Sequence, residues 1–201
     1  MIKLRLDVDY AYPSRNKSLV YTALKIQTKK DYLKNSKIIA KMVNETKQDV
    51  VAYWFFTPRT LPDHEMLELM NPQRHEVALH VAVNPYKELE ALEKLTGRKL
   101  RYYTIHGTER LLGRIIWRRK LWQARVPIPE GFPLQNFWDF PTLSLDRVCY
   151  DKSTEEALKI AQDSIAEGKV LHVHPDWLYE HGKYNHRGPY FGVLKSILDL
   201  K

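Results

Sequence analysis

Apolar side chains fall at every second position in several short segments of this chain, and the stretches between them carry helical spacing. Ile2, Leu4, Leu6 and Val8 alternate with Lys3, Arg5, Asp7 and Asp9, the period that a pleated strand with two unlike faces imposes. Val50 to Phe56 is a continuous apolar run followed by Pro58, as suits a buried strand. Over 76–83, Val77, Leu79, Val81 and Val83 alternate with Ala78, His80, Ala82 and Asn84. A fourth strand is expected at about Lys99–His106 and a fifth over Lys169–His174, where Val170, His172 and His174 share a face. Strands alternating with helical segments are the pattern of an α/β domain.

The helical segments have readable ends. Residues 17–48 read as mostly helix, Asp63 opens a short helix to about Met70, and Pro85 opens one that stops at Gly97, with proline in the first turn and glycine past the last. Thr108 is the expected N-cap of a basic helix to about Gln123, and Ser153 or Thr154 that of a helix ending near Gly168. Tyr190–Leu198 is a closing helix. Pro127, Pro129, Gly131, Pro133 and Pro141 mark a long irregular region, and 175–188 a polar, aromatic loop.

Composition narrows the function. The 201 residues, 44% of them hydrophobic, suffice for one domain over 1–201. No stretch approaches the ~18 apolar residues of a membrane helix, and the first strand begins directly after Met1, so a cytoplasmic protein with no transmembrane segment is expected. Cys149 is the one cysteine, which excludes an internal disulfide and a cysteine-rich zinc ribbon. A metal would therefore need His, Asp, Glu or Asn. The net charge of +8 is uneven. Residues 15–48 hold nine Lys and Arg against Asp31 and Glu45, and Arg110, Arg114, Arg118, Arg119, Lys120 and Arg125 form a second run. Such runs suit either a solvated helix face or an anionic partner. Without zinc-finger spacing or an RNA-binding motif there is no strong nucleic-acid signal.

Ionisable residues recur at the C-terminal ends of separate strands: Asp7 and Asp9, His80 with Asn84 just beyond, His106, and His172 with His174. In a curled or closed parallel sheet those ends meet at one rim, where the connecting loops build a site. Imidazole nitrogen and carboxylate oxygen are the ligands of a divalent metal such as zinc, and the remaining carboxylate and histidine can move protons beside it. A metal-bridged nucleotide-sugar site on Asp7 and Asp9 alone would leave the histidines unexplained. No P-loop, dinucleotide or serine-hydrolase fingerprint is present.

Asp7-Val8-Asp9, Glu76-Val77-Ala78-Leu79-His80, Ile105-His106-Gly107 and Val170-Leu171-His172-Val173-His174-Pro175-Asp176 resemble the ordered motifs of the polysaccharide deacetylases, the nodulation-protein-B homology superfamily. The resemblance spans 7–176. It implies a distorted (β/α) barrel of about seven strands and a metal-dependent hydrolase that removes an acetyl group from a sugar amide, a C–N bond. It further implies Asp7 as catalytic base, Asp9 and His80 as metal ligands, and His174 as the acid, with His172 its runner-up. Where the family has a second histidine four residues on, this chain has Asn84, so His106 or Asn84 completes the expected ligand set. The family's aspartate-orienting arginine has no clean counterpart beside His106, and Arg101 is the nearest earlier candidate. The expected cofactor is a divalent metal, zinc by its ligand chemistry, and the expected partner a carbohydrate, with a phosphate-linked glycan precursor matching the basic runs. The alternative is a non-catalytic barrel that binds a glycan or anionic partner. His64, at a helix start, and His75, at the N-terminal end of a strand, are expected on the surface; His181 and His186 are further rim candidates, and Trp138 with Asp139 suits either an aromatic sugar platform or a buried aromatic cluster.

Overall fold

The computed structural model describes residues 1–8, 33–105, 126–175, 178 and 188–200. Among these residues lie seven strands: β1 (Ile2–Val8), β2 (Val50–Phe56), β3 (His75–Val81), β4 (Tyr102–Ile105), β5 (Gln135–Asn136), β6 (Thr142–Ser144) and β7 (Val170–Val173). The helices among them are α1 (Lys34–Glu45), α2 (His64–Leu69), α3 (Pro85–Thr96), α4 (Leu145–Asp151), α5 (Thr154–Ala166) and α6 (Phe191–Ile197). All strand pairs are parallel, in the order β5-β4-β3-β2-β1-β7-β6.

This order forces curvature. Laid flat, seven strands would put β5 and β6 about 29 Å apart, yet only residues 137–141 connect them. Fully extended, that connection reaches about 22 Å, and Phe137–Asp139 is a compact 3₁₀ turn that shortens it further. The sheet therefore curls into a half-barrel, the distorted α/β barrel expected from the sequence, with 137–141 across its seam.

The two faces divide as the alternation requires. Ile2, Leu4, Leu6 and Val8 of β1, with Trp54, Phe56, Val77, Leu79 and Val173, pack beneath Ile39, Val43, Leu92, Ala161 and Leu194 of the helices. That helix-covered face is the outside of the curl. The inner face carries Arg5, Asp7, Phe55, Ala78, His80, Thr104 and His172, with Phe137 packed against Phe55, Ala78 and Val170. Helix ends follow local chemistry: Asp63 caps α2 by accepting from the Met66 N–H, and Ser153 with Glu156 forms a capping box on α5. Gly97, at φ 65°, ends α3 in the left-handed region.

Three expectations change. The irregular region from Pro127 to Pro141 contains β5 and the 3₁₀ turn, and β6 and α4 follow at once; strands of two and three residues are too short to display a period. The 17–48 helix is described from residue 33 on and begins at Lys34, while the basic segment 108–123 lies outside the described residues. His75, expected at the surface, is 2% exposed. It faces outward from β3 but lies under α1, where its Nδ1 accepts from Trp54 Nε1 at 2.9 Å and its Nε2 meets Asn44 Oδ1 at 3.0 Å. His64 is on the surface as expected, 3.4 Å from Glu68. Among the described residues no helix is long and apolar enough to cross a membrane.

Candidate metal centre

Parallel pairing of β1 with β7 sets Arg5 beside His172 and Leu6 beside Val173, so the inward residues one step further on are Asp7 and His174. Arg5 and Asp7 are two apart on one strand and share the inner face. The guanidinium grips the carboxylate with both ends: Arg5 Nε donates to Asp7 Oδ1 at 2.9 Å and NH2 to Oδ2 at 2.6 Å. Both residues are buried, at 1% and 3% exposure. The Arg5 guanidinium also lies 5.4 Å from the Phe55 ring and 4.7 Å from the Trp138 ring. Around the same carboxylate, His172 Nε2 stands 3.1 Å and His80 Nε2 3.9 Å from Oδ2.

Burial by itself would raise the Asp7 carboxyl, because a charge in a low-dielectric interior is costly. Arg5, then His172 and His80, outweigh that cost and hold it well below the usual carboxylate range. Asp7 is thus an anion inside the barrel.

His174 and His80 are each oriented by a second partner. His174 Nδ1 lies 2.7 Å from Asp146 Oδ2, and a carboxylate at its ionised limit accepts only, so the ring donates from Nδ1 and, when neutral, carries its lone pair on Nε2. Asp146 is fixed in turn by Ser144, whose hydroxyl reaches Oδ1 at 2.8 Å. Tyr190 donates to the His174 carbonyl at 2.7 Å. His80 Nδ1 is 2.6 Å from Thr104 Oγ1 across the β3–β4 pairing, which directs Nε2 toward Asp7.

Asp7, His172 and His174 place one ligand atom each within 4.8 Å of one another, the one such group found among the described residues. One carboxylate and two imidazoles suit a borderline divalent ion. The fit has a structural mark: His172 Nε2 is buried and makes no well-formed hydrogen bond, its charged neighbour being Asp7 Oδ2 at 3.1 Å. Ligands of a tetrahedral ion stand about 3.3–3.6 Å apart, close to the 3.1 Å separation of that oxygen and nitrogen. The carboxylate behind His174 is the partner that metal-bound histidines usually have.

The expected site residues therefore divide into three sets. Asp7, His172 and His174 come together, with His80 at their edge. Asn84 stands apart as the N-cap of α3, its Oδ1 accepting from the Lys87 N–H at 3.1 Å. Asp9, His106, Asp176, His181 and His186 lie outside the described residues. Arg101 binds Glu76 with both guanidinium ends, at 2.7 and 2.6 Å, and the arginine on Asp7 is Arg5. The sequence offered a signal for Arg5, its position on the polar face of β1; Thr104, Ser144 and Asp146 gave none. A comparison with family models, with curated proteins and with solved structures finds no match to this chain.

Proposed function

We propose that this chain is a metal-dependent hydrolase that cleaves the amide of an acylated amino sugar. The observation that carries the reading is the buried Asp7–His172–His174 group, at the strand-end rim where barrel proteins place their chemistry. The order of the motifs around Asp7, His80 and His174 supports the choice of reaction.

Asp7, His172 and His174 would hold the ion, which when bound polarises a carbonyl and makes water acidic enough to react near neutral pH. The chain's own residues do the rest. Arg5 keeps Asp7 ionised and fixes both of its oxygens, so the carboxylate enters the reaction already oriented. Asp146 fixes the tautomer and tilt of His174. His80, tethered through Thr104 and 3.9 Å from Asp7, is the histidine at the edge of the group and moves the proton to the departing amine. Segments 9–32 and 106–125, which follow β1 and β4, hold 11 Lys and Arg against three carboxylates, a balance that favours an anionic, phosphate-bearing form of the sugar.

The test is metal analysis paired with an assay of acetate release from N-acetylated sugars and their phosphates. About one ion per chain and chelator-sensitive release are expected. A protein that binds no divalent ion, or releases acetate equally after chelation, overturns the reading.

A further inference from the structure

We propose that Arg5 determines which metals the candidate centre can hold. Its buried positive charge weakens every divalent ion at Asp7, so that ions bound strongly through imidazole nitrogen stay and ions bound chiefly through carboxylate charge do not. The inference rests on the reading of Asp7, His172 and His174 as ligands, and it adds a rule of selection to that reading.

Three observations carry it. The first is that ion and guanidinium would compete for one group. Arg5 Nε lies 2.9 Å from Asp7 Oδ1 and NH2 2.6 Å from Oδ2, and Oδ2 is also the oxygen that stands 3.1 Å from His172 Nε2. An ion held by that oxygen and that nitrogen shares Oδ2 with a cation. The second is charge. Asp7 is the one carboxylate of the group found among the described residues, and Arg5 balances it. Asp146 stands behind His174, engaged with that ring and with the Ser144 hydroxyl. A divalent ion therefore meets a ligand set whose single negative charge is already compensated.

The third observation is that Arg5 has no means of withdrawing. Arginine, unlike lysine or histidine, cannot shed its proton inside a protein to make room for a second cation. The residue is 1% exposed, and its guanidinium lies 5.4 Å from the Phe55 ring and 4.7 Å from the Trp138 ring, aromatic neighbours that favour a buried cation. Repulsion between like charges in such an interior falls on all divalent ions alike. Zinc, nickel and copper gain enough from two imidazoles to bind in spite of it, whereas magnesium, calcium and manganese, which prefer carboxylate, carbonyl and water oxygen, do not. Arg5 also orients Asp7, which favours binding. A neutral donor would serve that purpose, so charge and orientation can be separated by substitution.

The test is calorimetric titration of the full chain with zinc chloride and with manganese chloride, in wild type, Arg5→Gln and Arg5→Met. Glutamine can still donate to Asp7 but carries no charge, and methionine removes donor and charge together. Wild type is expected to bind zinc and to take up no manganese at millimolar concentration. Both variants should bind zinc at least about tenfold more tightly and should take up manganese. The gain should vanish in Arg5→Gln combined with His172→Ala, which places it at this centre. Zinc should also raise the urea midpoint more in Arg5→Gln than in wild type, because the ion replaces the missing counter-charge of Asp7. Wild-type affinity for manganese within about tenfold of that for zinc overturns the proposal without any variant. Unchanged or weaker zinc binding in both Arg5 variants also overturns it, and leaves the hydrolase reading standing. Ion binding that begins only when Arg5 is replaced would support the competition and remove the metal-dependent reading of the natural chain. No ion bound by any of these proteins removes both.

Discussion

His172 Nε2 stands 3.1 Å from Asp7 Oδ2, a buried contact between β1 and β7 that brings together residues 165 positions apart. Neither atom is placed there by local sequence; the β1–β7 pairing does it. If the pair supplies two of the three ligands of an ion-binding group, removing the imidazole should remove the ion. His172→Ala is expected to lose divalent metal by at least tenfold in affinity, whereas His80→Ala should keep the metal and lose rate, on the order of 10²–10⁴. Metal analysis of both variants beside the acetate assay checks this, and equal metal retention in both would count against the assignment.

Breaking the Arg5–Asp7 pair leaves a buried carboxylate uncompensated. Arg5→Leu should therefore cost about 3–5 kcal/mol of stability, read as a lower urea midpoint. Arg5→Leu combined with Asp7→Leu should recover much of that loss, because two apolar residues leave no buried charge behind.

Asp146 acts through His174. Asp146→Asn keeps the shape but can present an N–H where the ring needs an acceptor, so metal affinity should fall about 10–100-fold with the urea midpoint moving much less. A variant that loses stability while its metal affinity holds would make Asp146 a purely structural residue.

Burial, then Arg98 and Arg74, lower the His75 imidazole from its ordinary 6.5 to about 4. The Trp54 N–H can only donate, so Nδ1 must stay unprotonated for that bond to exist. Between these two values the unfolded chain takes up a proton that the folded one refuses. The contribution is complete above about pH 6.5 and is lost as pH falls toward about 4, amounting to about 3 kcal/mol. Urea midpoints measured from pH 4 to 7.5 should fall on acidification, and the difference between wild type and His75→Gln should shrink over the same window. A constant difference would mean that His75 does not titrate there.

Gly188 packs where a Cβ would overlap the Cys149 carbonyl and the Tyr150 nitrogen, and its N–H donates to the Asp146 carbonyl at 2.7 Å. Both are backbone contacts that cannot swing aside. Gly188→Ala should destabilise the fold by about 2 kcal/mol or more and weaken metal binding through α4, as thermal unfolding with and without added zinc would show.

What the sequence discloses depends on how local its cause is. The faces of β1 and β3 are legible because a two-residue period is a property of the strand itself, and α3 because Pro85 and Gly97 bracket it. Asp7, His172 and His174 are visible as strand-end residues, but not as neighbours, since their meeting depends on the strand order. Arg5 is in view on the polar face of β1, yet an i, i+2 partnership inside a barrel needs the burial that only the curl supplies. Asp146 lies in a short helix that the sequence does not announce, and only the fold makes it the partner of His174. His75 misleads for the converse reason: nothing near it in sequence announces that Asn44 of α1 will cover it.

The strand order also has a consequence for how the molecule is made. β1 lies inside the finished sheet, and one of its two neighbours, β7, follows it by about 160 residues of chain. At ribosomal rates of roughly 5–20 residues per second, on the order of ten to thirty seconds separate Asp7 from His172. Throughout that interval the β7 side of β1 is an open edge, able to pair with a neighbouring nascent chain. Any messenger cut before the codon for His172 would yield a polypeptide that retains most of the outer core but holds Asp7 alone of the candidate ligand group, so a release assay on nascent chains should stay silent until the codons for His172 and His174 have been read.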